Sequence, residues 1–253
     1  MTADLLVRGA TVIDGSGADG VVADVAIAGG RIVAVGADAG AAAARRTIVA
    51  EGLVLCPGFV DMHAHSDLQI LAHPDHTAKV SQGVTTEVLG QDGLSFAPID
   101  GSTLAAVRRQ IAGWNGEPDD FDFSWDSVEG YLDRLDAGIA CHAAYLVPQG
   151  TLRMMVVGTA DRSATPAELG RMGALLADGL RQGALGMSSG LTYPPGMFAN
   201  PAELTDLCGV VADFGGYYSP HTRSYGKGAI GAYAEMVGSA AVPAAPCTSP
   251  TRR

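Results

Sequence analysis

The stretch "GFVDMHAHSD", Gly58–Asp67, decides the fold. It places two histidines one residue apart behind an apolar run and sets an aspartate on either side of them. In a strand, residues i and i+2 project to one face, so His63 and His65 stand side by side. Two neighbouring imidazoles suit a divalent ion such as Zn2+ when a carboxylate or thiolate lies close by. An H-x-H pair also occurs on ordinary strand surfaces, so the chain around it has to carry the reading.

The texture of the sequence changes at this stretch. Before it, residues 4–55 form short apolar or alternating runs closed by Gly or Asp-Gly ("DLLVRGATVIDG", "VADVAIAGGRIVAVG"). That pattern predicts a small antiparallel β unit with hairpins. After it, strand-like runs alternate with helix-like ones. The strands are "GFVDMHAH", "TTEVLGQD", "IACHAAYLVP", "ALGMSSG" and "GYYSPHTR". Between them lie "ILAHPDHTAKVSQG", "STLAAVRRQIAGW", "WDSVEGYLDRLDAG", "TPAELGRMGALLADGLRQG" and "NPAELTDLCGVVADFGG". Thr165 with Pro166 and Glu168 predicts a capped helix start, and Asn200 with Pro201 and Glu203 predicts a second of the same design. Strands alternating with helices predict βα units on a parallel sheet. The count reaches five strands, where a closed (β/α)8 barrel needs eight. His63 and His65 fall at the C-terminal end of the first of these strands, the end at which such barrels carry their active sites.

Composition narrows the function classes. The chain has 253 residues, 47% of them hydrophobic and 17% charged, which supports a sizeable core and excludes global disorder. A net charge of −11 argues against a nucleic-acid partner, because phosphate binding needs clustered Lys and Arg. No apolar run is long enough to span a membrane, and the N-terminus lacks a basic segment followed by an apolar one. Cys56, Cys141, Cys208 and Cys247 show no C-x-x-C spacing, so they read as free thiols of a cytoplasmic protein.

The stretch "GLVLCPGFVDMHAHSD" behind a β unit resembles the amidohydrolase superfamily. With "GVTTEVLGQDGLSFAP", "GALGMSSGLTYPPGMFANPAEL" and "GGYYSPHTRSYG" it resembles, over about residues 4–243, the N-acyl-D-amino-acid deacylase (D-aminoacylase) family. The resemblance implies an α/β fold: an incomplete (β/α)8 TIM-type metal-dependent hydrolase barrel with a small N-terminal β-sandwich subdomain. The expected division is residues 1–57 for the β-sandwich portion, 58–243 for the first five βα units and 244–253 for an aberrant tail. The implied activity is hydrolysis of the amide bond of a small-molecule N-acyl-D-amino acid with one or two Zn2+ ions. The implied metal ligands are His63, His65, Asp92 and His221. Asp92 stands in "GQDG" where the family has a cysteine in a G-N-C-G-like turn, and a carboxylate can bridge cations as a thiolate does. Thr192, Tyr193 and Met197 are implied to line the acyl side. Arg223 reads either as a partner for the substrate carboxylate or as half of a structural ion pair. The resemblance puts the general-base aspartate at the end of an eighth strand, beyond residue 253.

His73 and His76 read as surface or supporting residues, and His142, at the start of the third strand rather than its end, reads as lying on the wrong side of the barrel for the site. A cyclic-amide hydrolase of the dihydroorotase or hydantoinase kind is the alternative enzyme. Such enzymes usually carry a fourth-strand bridging lysine, and "GALGMSSGLTYPP" has none. A non-catalytic metal-binding or pseudogene product is the alternative of another class. The tail "APCTSPTRR" has no strand pattern. Back-translated one base out of register it admits a histidine-bearing segment, so a reading-frame shift near Ala245 is expected, against a genuine unstructured end. A five-stranded sheet with open edges is expected to leave the chain poorly soluble and without deacylase activity on its own.

Overall fold

The computed structural model describes residues 2–118 and 120–241, so the 244–253 tail lies outside the described residues. The chain divides into two compact units, Met1–Gly58 and Phe59–Arg253.

The first unit contains β1 (Thr2–Val12), β2 (Val21–Ala28), β3 (Arg31–Val35), α1 (Ala37–Gly40), β4 (Ala43–Val49) and β5 (Val54–Leu55). They form one sheet in the order β3-β2-β1-β4, with β5 also on β1. The hairpins are present, because β1–β2 and β2–β3 are antiparallel. The all-antiparallel expectation is corrected by β4 and β5, which both run parallel to β1. Parallel neighbours need a crossover, and the path through β2, β3 and α1 supplies it. Both faces of the sheet bury apolar residues: Ala3, Leu6 and Ala26 in one cluster, Val7, Ala10 and Val25 in the other.

The second unit begins with β6 (Phe59–Asp61), α2 (Gln69–Ala72), α3 (Thr77–Val80), β7 (Val84–Leu89), α4 (Gly101–Asn115) and α5 (Val128–Asp136). It continues with β8 (His142–Pro148), α6 (Gln149–Val156), α7 (Pro166–Arg181), β9 (Gly186–Gly190), α8 (Pro201–Asp213), β10 (Tyr217–His221) and α9 (Ala229–Ala240). The sheet order is β10-β9-β8-β7-β6 and every pairing is parallel. Each of the five strand-like runs holds one of these strands, but β6 stops at Asp61, so His63 and His65 lie past the strand and not on its face as expected. Helices pack on the sheet through stripes at helical spacing: Val128, Tyr131 and Leu135 on α5, and Met172, Leu176 and Leu180 on α7. They meet Leu89, Tyr145, Val147 and Met187 of the strands. Strands β6 and β10 are the two edges of this sheet among the described residues. Among the described residues no helix is long and apolar enough to cross a membrane.

Three local differences have physical reasons. The stretch 70–83 forms two short helices, because Pro74 forces His73 out of helical geometry (φ −132°, ψ 74°). Helix α6 escapes sequence reading because Gln149–Met154 are all buried, which erases the amphipathic period. Thr165 and Glu168 form the reciprocal cap that was expected, but Glu203 does not repeat it. Asn200 accepts the Glu203 N–H, while the Glu203 carboxylate turns inward to Arg153 and Gln149.

Candidate metal centre

The site is built on the turn Gln91–Gly93 that follows β7. Its two glycines are required by space. A Cβ at Gly90 would lie 2.1 Å from the Leu146 carbonyl oxygen, and one at Gly93 would lie 2.5 Å from the Gly190 nitrogen. Between them Asp92 is itself left-handed (φ 55°, ψ 26°), a conformation Asp tolerates better than most residues.

The turn is held from several elements. Asp67 Oδ1 accepts the Gly90 N–H at 2.7 Å and the Ser95 hydroxyl at 2.5 Å. The Ser188 hydroxyl accepts the Gly93 N–H at 2.9 Å and donates to the Gly90 carbonyl. The Tyr193 hydroxyl donates to the Asp92 carbonyl. The Gln91 amide donates to the Met62 carbonyl at 2.8 Å, and its oxygen accepts the Ser219 hydroxyl at 2.9 Å. Asp67 is buried, and burial raises its carboxyl above the usual carboxylate range against the opposing pull of these donors.

Three imidazoles converge on the Asp92 carboxylate. His63 Nε2 lies 3.2 Å from Oδ1, His65 Nε2 lies 3.2 Å from Oδ2, and His221 Nδ1 lies 3.2 Å from Oδ2. His63 and His65 sit just past the end of β6, and His221 is the last residue of β10. Burial pushes the Asp92 carboxyl up, but the His65 hydrogen bond and the charges of His63, His221 and His65 outweigh it and leave it lowered. His65 is raised, first by its hydrogen bond to Asp92 and against its own burial. Despite its close contact, Asp92 Oδ1 is buried without a hydrogen-bond partner of good geometry. His63, His65 and Asp92 each offer a ligand atom within 4.8 Å of the other two, a donor set that suits a divalent cation, and His221 adjoins it through Asp92.

An aromatic wall borders this cluster. The Trp114 ring lies 4.8 Å from His65 and 5.9 Å from Tyr193, and Tyr193 lies 5.7 Å from His221. Thr192 Oγ1 lies 3.0 Å from His221 Nε2. Met197 is 41% exposed at the loop surface. Arg223 lies beyond β10, with its guanidinium on Glu235 and on the carbonyls of Met197 and Ala199. Of the remaining histidines, His73 is exposed, His142 starts β8, and His76 turns to Glu87 at 3.0 Å. Sequence reading noted Asp67 only as a flanking residue and passed over Trp114 and Ser188. The Ser188 and Tyr193 bonds to the turn span 95 and 101 residues, a separation no local motif reports.

Residues 46–243 match the sequence model of a family described as "Amidohydrolase family". The D-aminoacylase of Alcaligenes xylosoxydans xylosoxydans is 37% identical over 233 residues, covering 92% of this chain and 47% of the relative. The N-acyl-D-aspartate deacylase of the same organism is 41% identical over 226 residues, covering 87% and 43%. A D-aminoacylase structure described by its binuclear metal centre superposes with a TM-score of 0.84 at 37% identity, covering 96% of this chain and 50% of that one. The N-acyl-D-glutamate deacylase of Bordetella bronchiseptica, solved with zinc and a phosphonate mimic of the tetrahedral intermediate, gives 0.83 at 33% identity, covering 94% and 49%. The chain thus spans about half the length of these relatives.

Proposed function

Since the chain belongs to the amidohydrolase family, we propose that it supplies the metal-holding half of a hydrolase acting on the amide bond of N-acyl-D-amino acids. The observation that carries this reading is the convergence of His63, His65 and His221 on the buried Asp92 carboxylate. These four residues would hold one or two divalent ions, zinc foremost. Bound there, the ion supplies Lewis-acid polarisation of the scissile carbonyl and acidifies the attacking water.

The protein's own part is preorganisation. Thr192 Oγ1, 3.0 Å from His221 Nε2, would accept its N–H once an ion is bound and so leave the Nδ1 lone pair for the metal. Trp114 packs on the ring of His65 and Tyr193 on the ring of His221, and the two wall the site, while Thr192, Tyr193 and Met197 offer the acyl-side surface. Arg223 serves the pocket from behind, since a substrate carboxylate would have to share it with Glu235. Asp67 holds the turn that presents Asp92. Replacing Asp67 with Ala orphans the Gly90 N–H and the Ser95 hydroxyl, at about 1–3 kcal/mol for each buried group. Asp67→Asn keeps an acceptor and should cost less. Urea denaturation of the two variants checks the order, and equal losses would sink this role.

The functional test has two steps. The purified chain should take up Zn2+ or Co2+ with an affinity that falls in His221→Ala. Fused to the second half of the D-aminoacylase relative, it should release the amino acid from N-acetyl-D-substrates in preference to their L enantiomers. Metal uptake indifferent to His221, or a fusion that opens hydantoins and leaves N-acyl-D-amino acids intact, would overturn the reading.

A further inference from the structure

Helix α3 lies against β7, and a second group of ligating side chains gathers from the start of α3, from β7 and from the approach to β8, apart from the Asp92 turn. His76 precedes α3, Glu87 stands in β7 and Cys141 immediately precedes β8. One ligand atom of each, the His76 nitrogen, a Glu87 carboxylate oxygen and the Cys141 sulfur, lies within 4.8 Å of the other two. All three are secluded: the His76 and Glu87 side chains are 9% and 0% exposed and Cys141 is 6% exposed. Glu87 Oε2 lies 3.0 Å from His76 Nε2. Glu87 Oε1 is buried with no hydrogen-bond partner and is faced by the Lys79 ammonium at 3.0 Å. Lys79 is also paired with Asp61, so one ammonium serves two carboxylates.

We propose that His76, Glu87 and Cys141 form a second divalent-metal site of the zinc class, which ties α3 to β7 and β8. Nitrogen, carboxylate oxygen and thiolate sulfur are the ligands zinc takes, and the ion leaves a fourth position for water. Zinc bonds of about 2.0–2.3 Å in a tetrahedron set ligand atoms more than about 3 Å apart, so the His76–Glu87 pair, now at 3.0 Å, opens slightly to admit the ion. Glu87 binds through Oε2 and keeps Oε1 on Lys79, so the ammonium need not leave. Binding breaks the Cys141 S–H bond and releases that proton to solvent, and the hydrogen that His76 Nε2 gives Glu87 Oε2 moves to Nδ1, which frees the Nε2 lone pair for the ion. The divalent ion and the new thiolate together add one positive charge to a group in which Lys79 faces both Glu87 and Asp61. A cavity of about 240 Å3, lined among others by Cys141, His142 and Asp136, adjoins the cysteine. In the metal-free chain burial and the Glu87 charge keep the thiol protonated.

The test exploits the sulfur. The His63, His65, Asp92 and His221 cluster offers only nitrogen and oxygen, so a sulfur-to-cobalt charge-transfer band in the near ultraviolet reports a cysteine site alone. Titrating the purified full-length chain with Co2+ should produce that band, and Zn2+ should bleach it. The band should persist in Cys56→Ser, Cys208→Ser and Asp92→Ala and vanish in Cys141→Ser. His76→Gln, which keeps the sulfur, should weaken Co2+ binding read at this band by at least about tenfold, and it decides the matter if Cys141→Ser fails to fold. No band in the wild-type chain, a band surviving in folded Cys141→Ser, or unchanged affinity in His76→Gln overturns the proposal.

Discussion

Asp92→Ala is expected to lower the affinity of the His63, His65 and His221 cluster for Co2+ or Zn2+ by more than about 100-fold, beyond the 10–100-fold range of residues that only support a ligand. Among the described residues the carboxylate is the only anion in contact with all three imidazoles, each at 3.2 Å. Removing it takes away one ligand and the charge that draws a cation in. It also leaves three rings with no common anchor, so their convergence is lost along with the oxygen. Asp92→Asn separates the two effects, since it keeps the shape and one acceptor while losing the charge. Isothermal titration with either ion, next to the wild-type chain, measures both variants. Retained affinity in Asp92→Ala would mean that the ion, if bound at all, sits elsewhere. Because Asp67→Ala acts on the same turn only through Gly90 and Ser95, its effect on metal affinity should be smaller than that of Asp92→Ala.

What the sequence made legible follows from range. The five strands of the second unit announce themselves in local runs such as "GALGMSSG", because a strand buried on both sides needs little more than a short stretch of small and apolar residues. His63 and His65 are legible together since two residues of chain geometry place them side by side. Asp92 and His221 became legible only through a resemblance, because they stand 129 residues apart and meet across the strand ends of a parallel sheet. Trp114 reaches His65 from the end of a helix-like run that carries no local sign of a site. Helix α6 and the inward turn of Glu203 share one cause. Both belong to a buried polar network, and burial on all sides removes the periodic contrast on which sequence reading depends.

That network sets the largest stability effect expected of a single substitution here. Glu203→Ala should destabilise the protein by about 3–5 kcal/mol, the cost of leaving a buried charge without its partner. Arg153 is 0% and Glu203 2% exposed, so no water takes over from the lost carboxylate. Arg153 NH1 lies 2.5 Å from Glu203 Oε2, and the Gln149 amide donates to Oε1 at 2.9 Å. Arg153 also donates to the Arg162 carbonyl, while its Nε is buried with no partner. Truncating Glu203 therefore orphans a guanidinium and an amide at once. It loosens the seat of α6 against the first turn of α8 as well. The Arg153→Met, Glu203→Leu double variant should recover much of the loss, since a well-packed apolar pair avoids the cost of burying both charges. Urea denaturation of the two variants and the wild type, with the slope of the transition held constant, gives the comparison. A Glu203→Ala loss within about 0.5 kcal/mol, the range of an ordinary surface change, would show that the pair does not stabilise this core.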